Sequence, residues 1–341
     1  MKFAILGMGK IGHSMTAYLM GRGHQVTVWD RQASKRTIIS NQGITITGVL
    51  EGLFRPEVAS SIPDVIQEAE VIIVATTASG HRPIAEMLAG HLKKGQIILI
   101  CNGNWGVYEF RQVLGNELVE KHVDVLETGG MHLMTDSEKT GVCRLKRIKD
   151  VLTVSSFPKD HIDVDLARIH DVFPQFKAVS TPLMTSLNAS NPVLHGPIGL
   201  FEFSTIENGG DYFFYKEGAT HHVVAYIERI DKERLAVMQA LGLKGQSCLD
   251  IVNAAWQTHE DNLYDAIHLN YPTSKGPKSV EYRFFTEDVP FGLAPICKLG
   301  KLLGIPTPYT DTLVDMYSKI LDRDFFAESP ILNINEVKAL C

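Results

Sequence analysis

The stretch Phe3-Ala4-Ile5-Leu6-Gly7-Met8-Gly9-Lys10-Ile11-Gly12 decides the fold of this 341-residue chain. Four consecutive apolar residues read as a buried strand, which runs straight into a GxGxxG turn that opens a helix. Each glycine has a separate task there. Gly7 makes the tight turn, Gly9 lets a pyrophosphate approach backbone amides, and Gly12 lets the helix lie close on the strand. Gly7, Met8, Gly9, Lys10, Ile11 and Gly12 are therefore the expected phosphate-binding turn, with the unpaired N–H groups and partial positive charge of the helix start facing the anion. The helix-period run Ile11, Met15, Leu19 ends at Gly21-Arg22-Gly23, and the strand Gln25–Trp29 follows. That strand ends on Asp30, where an acidic side chain accepts from adenosine ribose hydroxyls. Asp30 disfavours a 2′-phosphate and so favours NAD. Arg31, with Ser34, Lys35 and Arg36 just behind it, is the opposite signal and admits NADP. A glycine turn without a ligand is the plain alternative, and the strand–turn–helix–strand–Asp order argues against it.

Composition narrows the class. Residues are 45% hydrophobic and 21% charged, ordinary for a globular protein, and the length suits two domains. A net charge of −6 gives no basic footprint for nucleic acid or an anionic membrane surface. No apolar run approaches a membrane span, and the amino terminus reads as a strand with no signal-peptide pattern. Cys101, Cys143, Cys248, Cys297 and Cys341 are scattered, with no CxxC and no histidine at metal-ligand spacing. Reduced thiols, a cytoplasmic location and no metal are the expectation.

Up to about residue 180 strand and helix signals alternate. Glu70–Ala75 and Gln96–Ile100 are continuous apolar runs of the kind found in central parallel strands. Val123–Glu127 reads as another strand, Val142–Arg147 and Asp150–Ser155 as a hairpin, and Lys177–Val179 as the strand that finishes the sheet. Residues 1–180 are thus expected to be a Rossmann-type, doubly wound α/β domain that binds a dinucleotide. From residue 181 to 341 helical periods dominate, most clearly over Ala219–Leu241 with Gly242 closing it. An all-helical substrate-binding domain is expected there, with the chemistry near its start, because ligand sites favour domain boundaries.

Thirteen histidines make any single one a weak candidate. His195 stands apart because it lies at the domain junction within Asn188-Ala189-Ser190-Asn191-Pro192-Val193-Leu194-His195-Gly196-Pro197. A helix over this stretch would put Asn191 and His195 on one face. A histidine there can serve as general acid or base near neutral pH, provided a carboxylate orients its other ring nitrogen. The second candidate is Glu281–Gly292, in which Arg283, Glu287 and Asp288 are set among aromatics. Arg283 can grip a substrate carboxylate with two bonds. A surface salt-bridge cluster, with Asp288 starting the next helix, is the bland alternative.

Taken together, the His195 and Arg283–Pro295 stretches resemble those of the octopine/nopaline dehydrogenase family, the opine dehydrogenases. Phe213–Gly218, Ile230-Asp231-Lys232-Glu233-Arg234-Leu235, Glu287–Leu293 and Gly304–Pro308 add further segments in the same order, so the likeness spans nearly the whole chain. The resemblance implies an NAD(P)-dependent reduction of the imine formed between an amino acid and a 2-oxo acid. It further implies His195 as the catalytic histidine and Asp288 as the aspartate that orients it. Asn191 would belong to the active-site helix, and Arg283 would hold the oxo-acid carboxylate. A ketopantoate reductase-like enzyme acting on a single oxo acid is the nearest rival, and a non-enzymatic NAD-binding sensor is a more distant one. Met131, His132, Trp256, Tyr264 and Tyr271 are candidate liners of the amino-acid pocket, although Trp256 and Tyr264 also suit helical core. The helical domain is compatible with a homodimer. The identities of the amino acid and the oxo acid are not written in the sequence.

Overall fold

The computed structural model describes residues 1–341, the Glu138 side chain excepted. The chain divides into two compact units, Met1–Thr185 and Ser186–Ala339. In chain order the strands of the first are β1 (Lys2–Leu6), β2 (Gln25–Trp29), β3 (Ile44–Gly48), β4 (Gly52–Phe54), β5 (Glu57–Val58) and β6 (Val71–Val74). They continue with β7 (Ile97–Ile100), β8 (Asp124–Thr128), β9 (Leu133–Lys139), β10 (Val142–Ile148), β11 (Leu152–Phe157) and β12 (Phe176–Ala178).

Eight of these form one sheet in the order β12-β11-β8-β7-β6-β1-β2-β5. It is parallel except where β11 runs antiparallel to β8. β6 and β7 are buried at every residue, which is why they read as unbroken apolar runs. From β1 the chain moves outward to β2 and β5, then returns to β6 on the other side. That reversal opens a crevice at the carboxyl ends of β1 and β6, the usual ligand position in such sheets. Gly7 sits there at φ +102°, and a Cβ on it would lie 2.9 Å from Thr76 Cγ2. A Cβ on Gly12 would lie 2.0 Å from the Gly7 carbonyl oxygen, so only glycine lets the helix Lys10–Met20 start against the turn.

The expected hairpin between residues 142–147 and 150–155 does not form. β10 pairs antiparallel with β9 and parallel with β3, in a second sheet ordered β4-β3-β10-β9. β11 instead joins the large sheet beside β8. The turn that makes a hairpin is at Gly141, which adopts φ +81° between β9 and β10. Val154, Ser155 and Ser156 of β11 are all buried, so this strand is covered on both faces, which a solvent-facing hairpin strand is not. His13, a residue without any signal in the sequence, ties the small sheet to the glycine turn. Its Nδ1–H donates to the Gly9 carbonyl at 2.6 Å, and its Nε2 accepts from the Gly141 N–H at 2.9 Å.

The second unit is helical among the described residues, apart from one isolated bridge between Phe213 and Lys275. Its longest helix, His221–Ala240, ends where Gly242 turns to φ +76° and the Leu243 N–H bonds back to the Met238 carbonyl. The segment Asp231–Arg234 is structural. Fully buried Arg234 bonds Asp231 and the Leu187 carbonyl, Asp231 accepts the Cys248 N–H, and Glu233 caps the helix Pro308–Leu321 through the Tyr309 and Thr310 amides. Among the described residues, no helix is long and apolar enough to cross a membrane.

Gly12→Ala is expected to destabilise the protein by about 2 kcal/mol, because the added carbon meets backbone that cannot step aside. A melting temperature lowered by roughly 4–8 °C is the outcome that checks it. An unchanged value would mean that the helix start shifts freely.

Candidate active site

The helix Asn191–Phe201 begins with Pro192 in its first turn, where the missing N–H costs no bond, and presents His195 one turn later. Across from it, Asp288 immediately precedes a π-helical turn, Val289–Leu293. Gly292 of that turn lets the two segments touch, since a Cβ on it would lie 2.3 Å from Pro192 Cγ. The approach brings His195 Nδ1 to 2.6 Å from Asp288 Oδ2. His195 is 4% exposed and Asp288 1%. An ionised carboxylate only accepts, so Nδ1 carries the proton and Nε2 bears the lone pair. The Tyr215 hydroxyl lies 2.8 Å from Nε2 and must therefore donate to it. Phe284 stacks on the imidazole with ring centres 3.7 Å apart. Burial holds the His195 pKa below its ordinary value; the Asp288 carboxylate pulls it upward and the Arg283 guanidinium pushes it down. Burial thus favours the neutral form of the ring.

Arg283 donates from Nε to Glu287 at 2.9 Å and from Nη2 to the second Asp288 oxygen at 3.0 Å. Nη1 takes part in neither bond, and the side chain is 30% exposed. Burial works against its charge, but the Asp288 and Glu287 carboxylates outweigh that and raise its pKa. The cluster is a salt bridge, and Asp288 does start the next helical turn, but it is not a surface one, because both carboxylates are buried and one of them bonds a histidine. Asn191 shares the helix with His195 at four residues' distance but is exposed.

The structure sorts the other candidates. Tyr271 stacks on Tyr215 at 4.5 Å and Trp256 meets Tyr271 edge-on, so these two join the His195 neighbourhood. Trp256 is 45% exposed and is not helical core. Tyr264 is engaged elsewhere, between His221 and His268. His132 is packed among Tyr18, Phe173 and Phe176 in the first unit, and burial lowers its pKa to about 3; Met131 packs against the same core. Tyr215 itself was missed. Its only signal was its place twenty residues beyond His195 in an aromatic run, and nothing in that spacing points it at the ring.

In the first unit, Asp30 differs from expectation. Its carboxylate accepts the Met8 N–H at 2.7 Å and the Gln32 N–H at 2.9 Å, and pairs with Lys35 at 3.4 Å. It braces the glycine turn, so much of its accepting capacity is spent within the protein. Arg31 is exposed beside it. A hollow of about 300 Å³ borders the turn, lined by Gly9, Lys10, Lys35 and Lys139 among others. Apart from its own chain neighbours, no described atom lies within 4 Å of a Cβ built on Gly9. That glycine is spare space as far as the protein is concerned, which fits an approaching dinucleotide.

Residues 178–321 match the family described as NAD/NADP octopine/nopaline dehydrogenase, alpha-helical domain. Residues 3–123 match the ketopantoate reductase PanE/ApbA family. The opine dehydrogenase of Arthrobacter sp. (strain 1C) is 32% identical over 97% of this chain and 93% of its own length. The chain belongs to the opine dehydrogenase family. The D-nopaline dehydrogenase of Agrobacterium tumefaciens (strain T37) is 23% identical over 92% of this chain and 84% of its own. Among solved structures, an octopine dehydrogenase described with NADH and L-arginine superposes with a TM-score of 0.79 at 16% identity, over 94% of this chain and 89% of that one. The ketopantoate reductase likeness in the family models is confined to the first unit, whereas the unit that holds His195 and Asp288 matches the opine dehydrogenase model.

Two substitutions around this opine dehydrogenase histidine should move its titration in opposite directions. Asp288→Asn removes the influence that raises the His195 pKa, so it should fall further. Arg283→Gln removes a nearby positive charge, so it should rise. A ¹⁵N NMR titration of the ring checks both signs; shifts in the same direction would mean that the pairings differ from those described.

Proposed function

We propose that this enzyme condenses an amino acid with a 2-oxo acid and reduces the resulting imine with NAD(P)H, reversibly, acting on a CH–NH centre. The observation that carries the reading is the buried His195–Asp288 pair, with Arg283 bonded to the same carboxylate. The bound cofactor supplies the hydride. Gly7, Met8, Gly9, Lys10, Ile11 and Gly12 would hold its pyrophosphate, with Asp30 and Arg31 toward the adenosine.

His195 moves protons through the Nε2 lone pair, which Asp288 keeps available by holding the proton on Nδ1. Arg283 docks the oxo-acid carboxylate through Nη1 while its other two nitrogens hold Glu287 and Asp288, so substrate docking and base orientation share one guanidinium. Asn191 offers its amide to the substrates from the same helix as His195. Holding two small reactants together removes much of the entropy cost of their encounter. We place the protein in the cytoplasm and regard a homodimer as its assembly.

Purified protein should oxidise NADH or NADPH only when an amino acid and a 2-oxo acid are both supplied. Oxidation with an oxo acid alone would instead make it a simple reductase of the ketopantoate type. His195→Ala should lose at least about a hundredfold in kcat with cofactor affinity retained, the usual worth of a general acid–base group. Near-wild-type turnover would overturn the assignment. For the cofactor, Lys35→Ala should raise the KM for NADPH by about tenfold and leave that for NADH within threefold, the loss expected of one phosphate contact. An equal change in both would remove Lys35 from the 2′ position.

A further inference from the structure

The imidazole of His195 is closed on every side that matters for proton transfer. Nδ1 is taken by Asp288 and one ring face by Phe284, while Phe214 meets the ring edge-on at 5.8 Å. Among the described residues, the hydrogen-bond partner of Nε2 is the Tyr215 hydroxyl. With His195 4% exposed, a substrate oxygen reaches Nε2 only by displacing that hydroxyl or by working through it. Displacement would be expensive. Tyr215 is 8% exposed, belongs to the short helix Phe214–Gly218, stacks on Tyr271 and meets Phe214 edge-on at 5.1 Å. Swinging it out would break both ring contacts and leave Nε2 without a donor in a buried site. Working through the hydroxyl keeps both ring contacts, because a phenol has a proton to give and lone pairs to receive another.

We propose that Tyr215 is a catalytic residue of the reaction above, its hydroxyl standing between His195 Nε2 and the substrates as a one-step proton relay. The proposal rests on the condensation reading of the previous subsection. Burial, then Tyr271 and Asp288, keep the phenol pKa well above its ordinary value, so the hydroxyl holds its proton at neutral pH. The other charged groups around the relay are Arg283 and Glu287.

In the direction of synthesis, the ammonium of the amino acid gives a proton to Tyr215 Oη as the phenol's own proton goes to Nε2. The freed amine adds to the carbonyl carbon of the oxo acid, and the adduct's proton moves from nitrogen to oxygen. The reverse hand-over then runs from Nε2–H through Oη to the adduct's hydroxyl. Its C–O bond breaks with the electron pair leaving on water, and the nitrogen lone pair forms the C=N bond. His195 and Tyr215 are then back in their starting states, and the C=N carbon is left for the hydride that a bound nicotinamide cofactor would supply.

Tyr215→Phe tests this. The ring and its stacking remain and one hydroxyl is removed. Relay predicts a kcat lower by about 10²–10³-fold, within the range of general acid–base groups, with KM values and NADH affinity changed by less than about threefold. The solvent proton inventory should pass from a curve with two protons in flight to a straight line. A ¹⁵N spectrum should show the Nε2 resonance moved and Nδ1–H still bonded to Asp288, which establishes that the site is otherwise intact. A kcat within threefold of wild type, or faster, would overturn the relay and make Tyr215 a shield over the base. A wild-type protein silent with every pair of amine and oxo acid would overturn the condensation reading and this proposal with it. An active wild type beside an unaffected variant would overturn only the relay.

Discussion

Burying the Asp288 carboxylate takes it out of water, and the cost is offset only because both of its oxygens find charged or polar hydrogen. Oδ2 receives the His195 Nδ1–H and Oδ1 receives the Arg283 guanidinium. Removing one partner of such a buried set commonly costs about 3–5 kcal/mol, because the remaining group is left uncompensated. Much else in the helical unit is arranged to make this meeting possible. Pro192 starts the histidine's helix, Gly292 lets the aspartate's turn lie against it, and Phe284 covers the ring. The same bond fixes the tautomer, and with it which nitrogen faces the reaction. Structure and chemistry therefore depend on a single contact of 2.6 Å.

The first unit has an analogous arrangement around Asp30. Its carboxylate binds the Met8 amide of the glycine turn, and His13 ties the neighbouring Gly9 carbonyl to the small sheet. The turn is thus held by side chains on both flanks before any ligand arrives. Preorganisation of this sort spares a bound dinucleotide the entropy cost of ordering the loop. It also gives Asp30 a structural duty, which weakens the simple equation of an acidic residue after the second strand with a preference for unphosphorylated ribose. Three lysines around the adjoining hollow lean the other way.

Legibility in the sequence followed the range of the interactions. The glycine turn, the unbroken apolar runs of β6 and β7 and the twenty-residue helix His221–Ala240 are local patterns and were readable as such. The hairpin at residues 142–155 was misread because alternation marks a strand without naming its partner. β10 and β11 are neighbours in sequence, yet they lie in different sheets. In the site, His195 stood out by its place at the domain junction and Asp288 by its aromatic surroundings, but their pairing came from a resemblance, since ninety-three positions separate them and no spacing rule joins them.

What the chain's sequence determined by itself is a dinucleotide-type α/β half followed by helices, because glycine sterics and apolar periodicity act over a few residues. Only the tertiary structure decided which groups complete the His195 environment. Tyr215 reaches Nε2 because the helices Asn191–Phe201 and Phe214–Gly218 fold against each other, and the Asp288 that Arg283 holds meets His195 because the turn Val289–Leu293 packs on the histidine's helix. Hydrogen bonds between distant residues depend on packing that brings atoms within about 3 Å, and a linear pattern carries no record of that distance.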